Sequence, residues 1–334
     1  MLSSTSSAAL AFTTAAVVAL GASFLLVSRL ERLAARMRLS EAALGLVVAL
    51  AADSPEITSA ITASAHGQTS IGAGVVLGSN VFNLAALLGL GAIVARRIHL
   101  HRRVVVLDGV AAVWVALVSV LVVATGLGAP VGLALVLIVV VPYVVVSACS
   151  SNTLRRLGLP DQAITWLRQA VAEEESELAG AIHPTQRGRF DVLVGVASLV
   201  IVVAASAVME RSAETLGRRF DLPNLVVGGI ILAAVTSLPN AVGAVYLASR
   251  GRGAAVLSEA MNSNMLNVVV GLLLPGIFVG LAHTTGSGTL VAAWYFCLTV
   301  VCLTMAFASR GLSRLQGLVI VAGYLAFVVV ATTR

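Results

Sequence analysis

Lysine is absent from this sequence of 334 residues, and charge of either sign is scarce. Only 11% of the residues are charged, and all 21 basic residues are arginines. Soluble domains contain about 25% charged residues, so a soluble protein with an ordinary solvated surface is excluded. The net charge of +6 does not indicate nucleic-acid binding, because the arginines lie between apolar segments and form no single basic patch.

Cysteine is nearly as scarce as charge. The three cysteines, Cys149, Cys297 and Cys302, are odd in number, and their spacing fits no metal site. We therefore expect no disulfide framework and predict three small, buried apolar side chains. The first residues, "MLSSTSS", also lack the positive charge of a signal peptide, so the first apolar run is expected to remain as a helix.

Apolar residues make up 59% of the chain. They are grouped in runs of about 20 residues, which cross the hydrocarbon core as helices. Segments such as "VLVGVASLVIVVAASAV" lack the alternation of barrel strands, so the sequence predicts an all-α integral membrane protein with ten transmembrane helices. The predicted spans are 8–28, 41–66, 70–95, 104–125, 130–149, 190–210, 225–249, 254–282, 288–309 and 315–332.

The arginines favour one side of these spans. Seventeen of the 21 lie in the odd-numbered connections. Positive residues are retained on the cytoplasmic side, so both termini are predicted outside the plasma membrane. The longest connection, 151–189, is then cytoplasmic, and "DQAITWLRQAVAEEESELAG" predicts an amphipathic helix within it. Its acidic run lacks EF-hand spacing and is interpreted as a solvated helix face, although a regulatory role of this loop stays open.

The sequence repeats itself at an offset of 184 residues. "GLVVALAADSPEITSAITASAHG" (45–67) aligns without a gap to "GIILAAVTSLPNAVGAVYLASRG" (229–251), and "GSNVFN" (78–83) aligns to "NSNMLN" (262–267). The copies are five spans apart, an odd number, so the second copy enters the membrane inverted. Inverted halves are typical of secondary transporters, whose substrate lies between the halves near the midplane.

This repeat predicts two inverted five-helix repeats with broken core helices. The first membrane half is 1–150, with its repeat at about 45–91. The second half is 190–334, with its repeat at about 229–275, and 151–189 connects them. Pro55 and Pro239 should break the core helices, because proline lacks an N–H and clashes with the preceding turn. The freed carbonyls then become available as cation ligands.

Two carboxylates, Asp53 and Glu56, lie in the first broken helix. An unpaired carboxylate at the membrane midplane costs at least ~2.5–3.5 kcal/mol. No arginine occurs between Arg38 and Arg96, so a bound cation is the natural compensation. Carboxylate, amide and hydroxyl oxygens suit hard ions such as Ca²⁺ or Na⁺. The alternative is that Asp53 and Glu56 only cap the half-helix that begins at Pro55, with Asp53 or Ser54 as the N-cap.

These motifs resemble the two alpha-repeats of the cation/Ca²⁺ antiporter superfamily, which includes the sodium/calcium exchangers. Those repeats contain Gly-Thr-Ser-x-Pro-Glu and, further along, Gly-Ser-Asn-x-x-Asn. The sequence has "AADSPE" and "VTSLPN" at the first element, and "GSNVFN" and "NSNMLN" at the second. The resemblance implies an antiporter, not an enzyme, that exchanges Ca²⁺ for Na⁺ or H⁺ by alternating access. It also implies ligands from both repeats: Asp53, Glu56, Ser79, Asn83, Thr236, Ser237, Asn240, Ser263 and Asn267.

The sequence departs from that family pattern in both repeats. Asn240 replaces the second glutamate, and Ala52-Asp53 replaces Thr-Ser in the first repeat. Two formal negative charges remain, which suits one Ca²⁺. The changes at Ala52 and Asn240 remove ligands of a family Na⁺ site, so at least one Na⁺ site is expected to be weakened. The coupling ion is then fewer Na⁺, or H⁺ carried by Asp53 or Glu56.

Three further acidic residues are candidates for other roles. Glu259 lies on the helical face of Ser263 and Asn267, and is either an auxiliary ligand or an entrance carboxylate paired with Arg250 or Arg252. Asp108 and Asp191 are predicted to be helix caps or interfacial charges near helix starts.

The alternatives within transport are a monovalent Na⁺/H⁺ exchanger and an exchanger of another divalent ion such as Mg²⁺. A channel and an intramembrane hydrolase are the remaining readings. The hydrolase is disfavoured, because an aspartyl dyad needs acids from separate helices. The expected partners are the transported cations and the lipid bilayer, with no nucleic acid and no cofactor. The oligomeric state stays open.

Overall fold

The computed structural model describes residues 5–36, 49–179, 190–281 and 286–333, and nearly all of them are helical. The helices before residue 150 are α1 (Thr5–Arg36), α2 (Ser54–Ala65), α3 (Thr69–Ala95), α4 (Arg102–Thr125) and α5 (Ala129–Ala148). Two helices follow in the long connection, α6 (Ser151–Arg156) and α7 (Asp161–Ala179). The remaining helices are α8 (Asp191–Arg219), α9 (Val227–Thr236), α10 (Leu238–Ser249), α11 (Gly253–Val279), α12 (Gly286–Ser309) and α13 (Arg314–Thr332).

Eight described helices are long and apolar enough to cross a membrane. They are α1, α3, α4, α5, α8, α11, α12 and α13. The bent pair α9 and α10, with an angle of 50° between its members, makes a ninth span. The chain is therefore a multi-pass membrane protein. The predicted span 41–66 begins outside the described residues, which contain only its part from residue 49 onward.

Two helices break at positions related by the 184-residue offset. A turn at Asp53 precedes α2, and a turn at Ser237 separates α9 from α10. Their backbone angles are nearly equal, with φ −78° and ψ −3° at Asp53 and φ −83° and ψ 0° at Ser237. Pro55 and Pro239 occupy the first turn of the following helix, where a missing N–H is tolerated.

The first break is tighter than the unwound turn expected from the sequence. The Ile57 N–H still bonds the Asp53 carbonyl at 3.0 Å, so the helix resumes at once. The carbonyl of Ala51 accepts the Ser54 hydroxyl at 2.6 Å. This carbonyl is therefore satisfied locally, and side-chain oxygens are left as the main candidates for ligands at this break.

Two glycines, Gly74 and Gly78, let α3 pass directly against α9. A Cβ at Gly74 would lie 3.1 Å from the Gly229 nitrogen. A Cβ at Gly78 would lie 2.5 Å from the Gly229 Cα and closer still to its carbonyl oxygen. Backbone-to-backbone contact of this kind positions the two repeats next to each other.

Three helices contain π-helical turns, which the sequence did not predict. These turns are Leu84–Leu90 in α3, Val227–Leu232 in α9 and Asn267–Leu273 in α11. The first begins directly after Asn83, and the third begins at Asn267. These two asparagines are equivalent in the repeat. Such turns shift the register of the side chains that follow and are common at functional sites.

The loops at one end of the molecule are joined by a short antiparallel sheet. Strand β1 (Arg97–His99) pairs with β2 (Gly311–Ser313), so that Ile98 faces Leu312 in the register. Gly253 packs closely against the His99 backbone. Three odd-numbered connections therefore lie at the same end of the bundle. This agrees with the prediction that the arginine-rich connections share one side of the membrane.

The opposite end joins even-numbered connections. Gln68 donates to Glu214 at 2.8 Å, and Arg211 donates to His66 at 3.0 Å. These contacts link the turn after α2 to the end of α8. The two ends of the bundle therefore hold different sets of connections, as an alternating topology requires.

The expectation that all three cysteines are buried needs correction. Cys302 is buried, but Cys149 is half-buried and Cys297 is exposed on the surface of α12. The prediction of burial was wrong for Cys297, because a weakly polar thiol is also compatible with a lipid-facing position. Asp191, in contrast, forms the expected charge at a helix start, with Arg29 at 3.1 Å and Arg32 at 3.7 Å.

Candidate functional site

All nine side chains that the sequence singled out are at most 2% exposed. They lie where α2, α3, the α9–α10 break and α11 meet in the centre of the bundle. The set comprises two carboxylates, three amides and four hydroxyls: Asp53, Glu56, Asn83, Asn240, Asn267, Ser79, Thr236, Ser237 and Ser263.

Asp53 accepts hydrogen bonds from the other half of the molecule. Its Oδ1 lies 2.6 Å from Nδ2 of Asn240 and 2.6 Å from Oγ of Ser263. Its side chain makes no capping bond to α2. The interpretation of Asp53 as only a helix cap is therefore wrong, because the carboxylate faces the second repeat and not its own helix end.

Glu56 has a corresponding pair of donors. Its Oε1 accepts the hydroxyl of Ser237, and its Oε2 lies 3.0 Å from Nδ2 of Asn267. No arginine or histidine among the described residues forms an ion pair with either Asp53 or Glu56. The two carboxylates are thus held by neutral donors, as expected if a mobile cation balances their charge.

The contacts of the two carboxylates are equivalent under the 184-residue offset. Asp53 pairs with Asn240, and the equivalent residues Ser237 and Glu56 also pair with each other. The acidic member of each pair belongs to the first repeat, and the neutral member belongs to the second. These two hydrogen bonds are therefore equivalent in the two repeats, whereas both negative charges come from the first repeat.

Asn80 and Asn264 complete this centre, and the sequence reasoning did not single them out. Nδ2 of Asn80 donates to the Asn264 carbonyl at 3.1 Å, and Nδ2 of Asn264 donates to the Asn80 carbonyl at 3.1 Å. Asn83 donates to Oδ1 of Asn264, and Asn267 donates to Oδ1 of Asn80. Their identity at aligned positions of both repeats was the available signal.

We expect Asn264→Ala to lower the free energy of unfolding, since it removes two buried hydrogen bonds. One of them is the bond in which the side-chain amide of Asn83 donates to Asn264. The expected loss is about 2 kcal/mol. The measurement is the thermal unfolding midpoint in detergent. Asn152→Ala, at an exposed position of α6, is the matched control and should not change it. Equal midpoints for both variants would show that the asparagine cluster contributes no stability.

Four side-chain oxygens in this centre are buried and have no hydrogen-bond partner among the described residues. They are Asp53 Oδ2, Asn83 Oδ1, Asn240 Oδ1 and Asn267 Oδ1. Buried acceptors are nearly always satisfied, because an unmade bond costs about 1–3 kcal/mol. Oxygens of carboxylates and amides are the ligands that hard cations prefer. These oxygens are therefore available as ligands for a bound cation.

The two remaining hydroxyls are engaged with their own helices. Thr236 donates to the Leu232 carbonyl at 2.9 Å, and Ser79 donates to the Val76 carbonyl at 3.0 Å. Donation uses the hydroxyl proton and leaves the oxygen lone pairs available. These bonds therefore orient both hydroxyl oxygens without preventing them from acting as ligands.

Glu259 lies one turn from Ser263 on α11 and is half-buried. Its Oε2 is buried without a hydrogen-bond partner, and its Oε1 lies 3.2 Å from where a Cβ of Gly243 would be. The expected pairing of Glu259 with Arg250 or Arg252 is not found in the described part of the chain. Glu259 thus remains a candidate auxiliary ligand beside the central cluster.

Asp108 is fully buried and is not the interfacial charge or cap that the sequence predicted. Its Oδ2 accepts the Ser258 hydroxyl at 2.6 Å, and its Oδ1 accepts the Tyr143 hydroxyl at 3.1 Å. The prediction was wrong because α4 begins at Arg102, which places Asp108 almost two turns inside the helix. Asp108 links α4, α5 and α11 next to the central cluster.

Comparisons with known proteins agree with this architecture. The family model described as sodium/calcium exchanger protein matches residues 7–150 and 190–333. A solved structure of the sodium-calcium exchanger NCX_Mj, soaked with Na⁺ and Ca²⁺, superimposes with a TM-score of 0.62 at 20% identity. The match covers 98% of each chain. At this identity the likeness establishes the fold.

Individual relatives match part of the chain. Sodium/calcium exchanger MaX1 of Methanosarcina acetivorans is 31% identical over 133 residues, which cover 39% of this chain and 37% of that protein. Sodium/potassium/calcium exchanger 2 of Rattus norvegicus is 28% identical over 142 residues, which cover 40% of this chain and 21% of that protein. The matches thus span between about a fifth and two fifths of these relatives. Since the family model covers both halves of the molecule, the chain belongs to the sodium/calcium exchanger family.

Proposed function

We propose that this protein is a secondary active antiporter that moves Ca²⁺ across the plasma membrane against Na⁺ or H⁺. The observation that carries the proposal is the set of four unpartnered oxygens around two buried carboxylates. The family assignment supports cation exchange, and the relatives are themselves named sodium/calcium or sodium/potassium/calcium exchangers. No covalent step is needed, so the protein is a transporter and not an enzyme.

The two halves would form one binding site between them. Asp53 and Glu56 supply two negative charges, which balance one Ca²⁺ in a medium of low dielectric constant. Asn83, Asn240 and Asn267 supply amide oxygens. The hydroxyl ligands and the auxiliary carboxylate of the proposed site are Ser79, Thr236, Ser237, Ser263 and Glu259.

We infer ten membrane spans arranged as two inverted halves with both termini outside. The nine candidate spans of the described residues, together with the span 41–66 predicted from the sequence, support this number. The equivalent breaks at Asp53 and Ser237 and the reciprocal bonds between Asn80 and Asn264 support a two-fold relation of the halves. Alternating access would then expose the central site to each side of the membrane in turn.

The coupling ion follows from the chemistry of the altered positions. Ala52 lacks a hydroxyl, and Asn240 is neutral where the resemblance implies a glutamate. Both changes should weaken at least one Na⁺ site. We therefore expect fewer Na⁺ per Ca²⁺ than in a site with all ligands, or coupling to H⁺ through Asp53 or Glu56.

Radioactive Ca²⁺ uptake into proteoliposomes with imposed gradients tests this proposal. We expect uptake to require an outward gradient of Na⁺ or H⁺, with K⁺ included as a third arm because some relatives carry that ion in their names. Uptake that needs no counter-gradient would indicate a channel. Gradient-driven movement of Na⁺ or Mg²⁺ without Ca²⁺ movement would indicate one of the other exchangers, and full Na⁺ dependence without pH dependence would refute coupling to H⁺.

A further inference from the structure

A polar stripe runs along α8 towards the predicted outer side of the membrane. It consists of Ser206, Glu210 and Glu214, which are spaced four residues apart and therefore share one helix face. Helix α8 is apolar enough to cross a membrane. Two carboxylates on the packed face of such a helix are unusual. The contacts of the stripe show which part of the molecule it faces.

The two ends of the stripe contact α2 and the turn after it. The Ser206 hydroxyl lies 2.9 Å from that of Thr58 and 3.4 Å from the Pro55 carbonyl, directly beside Glu56. One helical turn beyond Glu210, Glu214 accepts the Gln68 amide at 2.8 Å. Glu210 lies between these contacts, so its carboxylate faces the length of α2 that leads from the central site to the outer surface.

Glu210 itself is 1% exposed, and its Oε1 has no hydrogen-bond partner in the described residues. No ion pair of the described residues involves it. The nearby cations are engaged with other groups, since Arg211 donates to His66 and Arg218 pairs with Glu214 at 3.4 Å. A buried acceptor without a donor is costly and is available as a ligand for a cation.

A second unpartnered oxygen lies on α2. Ser59 is fully buried, and its Oγ has no hydrogen-bond partner among the described residues. It follows Glu56 by three residues, so it lies one turn closer to the outer end on nearly the same face of α2. Glu56, Ser59 and Glu210 therefore offer oxygens in succession from the centre outwards.

The stripe is specific to α8. The offset of 184 residues places Ala22, Leu26 and Leu30 at the equivalent positions of α1. Ala22 and Leu26 are buried and apolar. A purely structural requirement of the repeat would apply to both helices, so the repeat itself does not account for the buried carboxylate of Glu210.

We propose that Glu210 and Ser59 form an outer site, at which a cation pauses between the outer solution and the central site. The inference rests on the proposed function. It adds two residues that would affect how cations reach the central site from the outer side. A carboxylate oxygen and a hydroxyl oxygen that both lack a hydrogen-bond partner suit a partly hydrated Ca²⁺. Because the site lies on one route, its removal affects transport from the outer face and not from the inner face.

Ca²⁺ transport by Glu210→Gln in right-side-out and inside-out membrane vesicles tests the proposal. We expect the KM for Ca²⁺ at the outer face to rise about tenfold, the scale of one lost charge interaction near a protein surface. The KM at the inner face should equal that of the wild type. The unfolding midpoint should not fall, since the substitution removes a buried charge.

The matched control is Glu214→Gln, which makes the same change one turn away at a carboxylate already paired with Arg218. Its KM should change by less than twofold on both faces. A tenfold effect of Ser59→Ala at the outer face alone would add support. Unchanged transport by Glu210→Gln, or equal changes at both faces, would overturn the outer site. Either result leaves the antiporter proposal standing, which fails separately if transport persists without Glu56.

Discussion

We expect Glu56→Gln to reduce Ca²⁺ uptake into proteoliposomes by a factor of roughly 100 or more. The glutamine keeps the shape of the side chain and retains an acceptor for the Ser237 hydroxyl. It removes one of two charges that balance a divalent cation, and a charge left uncompensated within a membrane costs about 3 kcal/mol. The central site would therefore no longer hold Ca²⁺, although its packing persists.

Two measurements separate lost binding from lost folding. Ca²⁺ should raise the unfolding midpoint of the wild type, because a ligand that binds the folded state stabilises it. This shift should disappear in Glu56→Gln, while the midpoint without Ca²⁺ is retained. Asp161→Asn, at a 76% exposed carboxylate on α7, is the control and should transport like the wild type. Full uptake by Glu56→Gln would remove the basis of the proposed site.

Gly78→Ala has the largest expected effect on folding. The added Cβ would meet the Cα of Gly229 at 2.5 Å and overlap its carbonyl. Both partners are backbone, so no side-chain rotation relieves the contact and α3 must move away from α9. Overpacking usually costs about 1–3 kcal/mol, and a clash between two backbones at the centre of the bundle should reach or exceed the upper value.

The yield of monodisperse protein and the unfolding midpoint test this expectation. Gly21→Ala is the matched control, since nothing lies within 4 Å of a Cβ at that position of α1. It should match the wild type or be slightly more stable, because alanine favours the helix. Similar behaviour of both variants would mean that close approach of α3 and α9 is not required.

Pattern and repetition account for much of the fold. Runs of apolar residues located the membrane helices, and the 184-residue offset located both breaks to within two residues of the prolines. These features depend on local chain chemistry, namely helix length, the missing N–H of proline and glycine at crossings. The same reasoning brought together nine residues that the structure does place in one cluster, although their role as ligands stays a prediction.

Features set by contacts between distant segments were not predicted. The asparagines at 80 and 264 bond each other's backbone only because the two repeats meet face to face. Asp108 was misplaced because its environment depends on α5 and α11, which supply Tyr143 and Ser258. The π-helical turns also lack a local signal, since they result from how α3, α9 and α11 pack.

The sheet formed by β1 and β2 limits how the halves can separate. Besides its ladder, it is extended by bonds from the Leu100 N–H to the Arg310 carbonyl and from the Arg314 N–H to the Arg96 carbonyl. The end of α3 and the start of α13 are thus joined by main-chain hydrogen bonds. Each bond contributes about 1 kcal/mol to stability. The sheet therefore holds α3 and α13 together at this end of the bundle. Any spreading of these two helices should therefore be widest at the far surface of the bilayer.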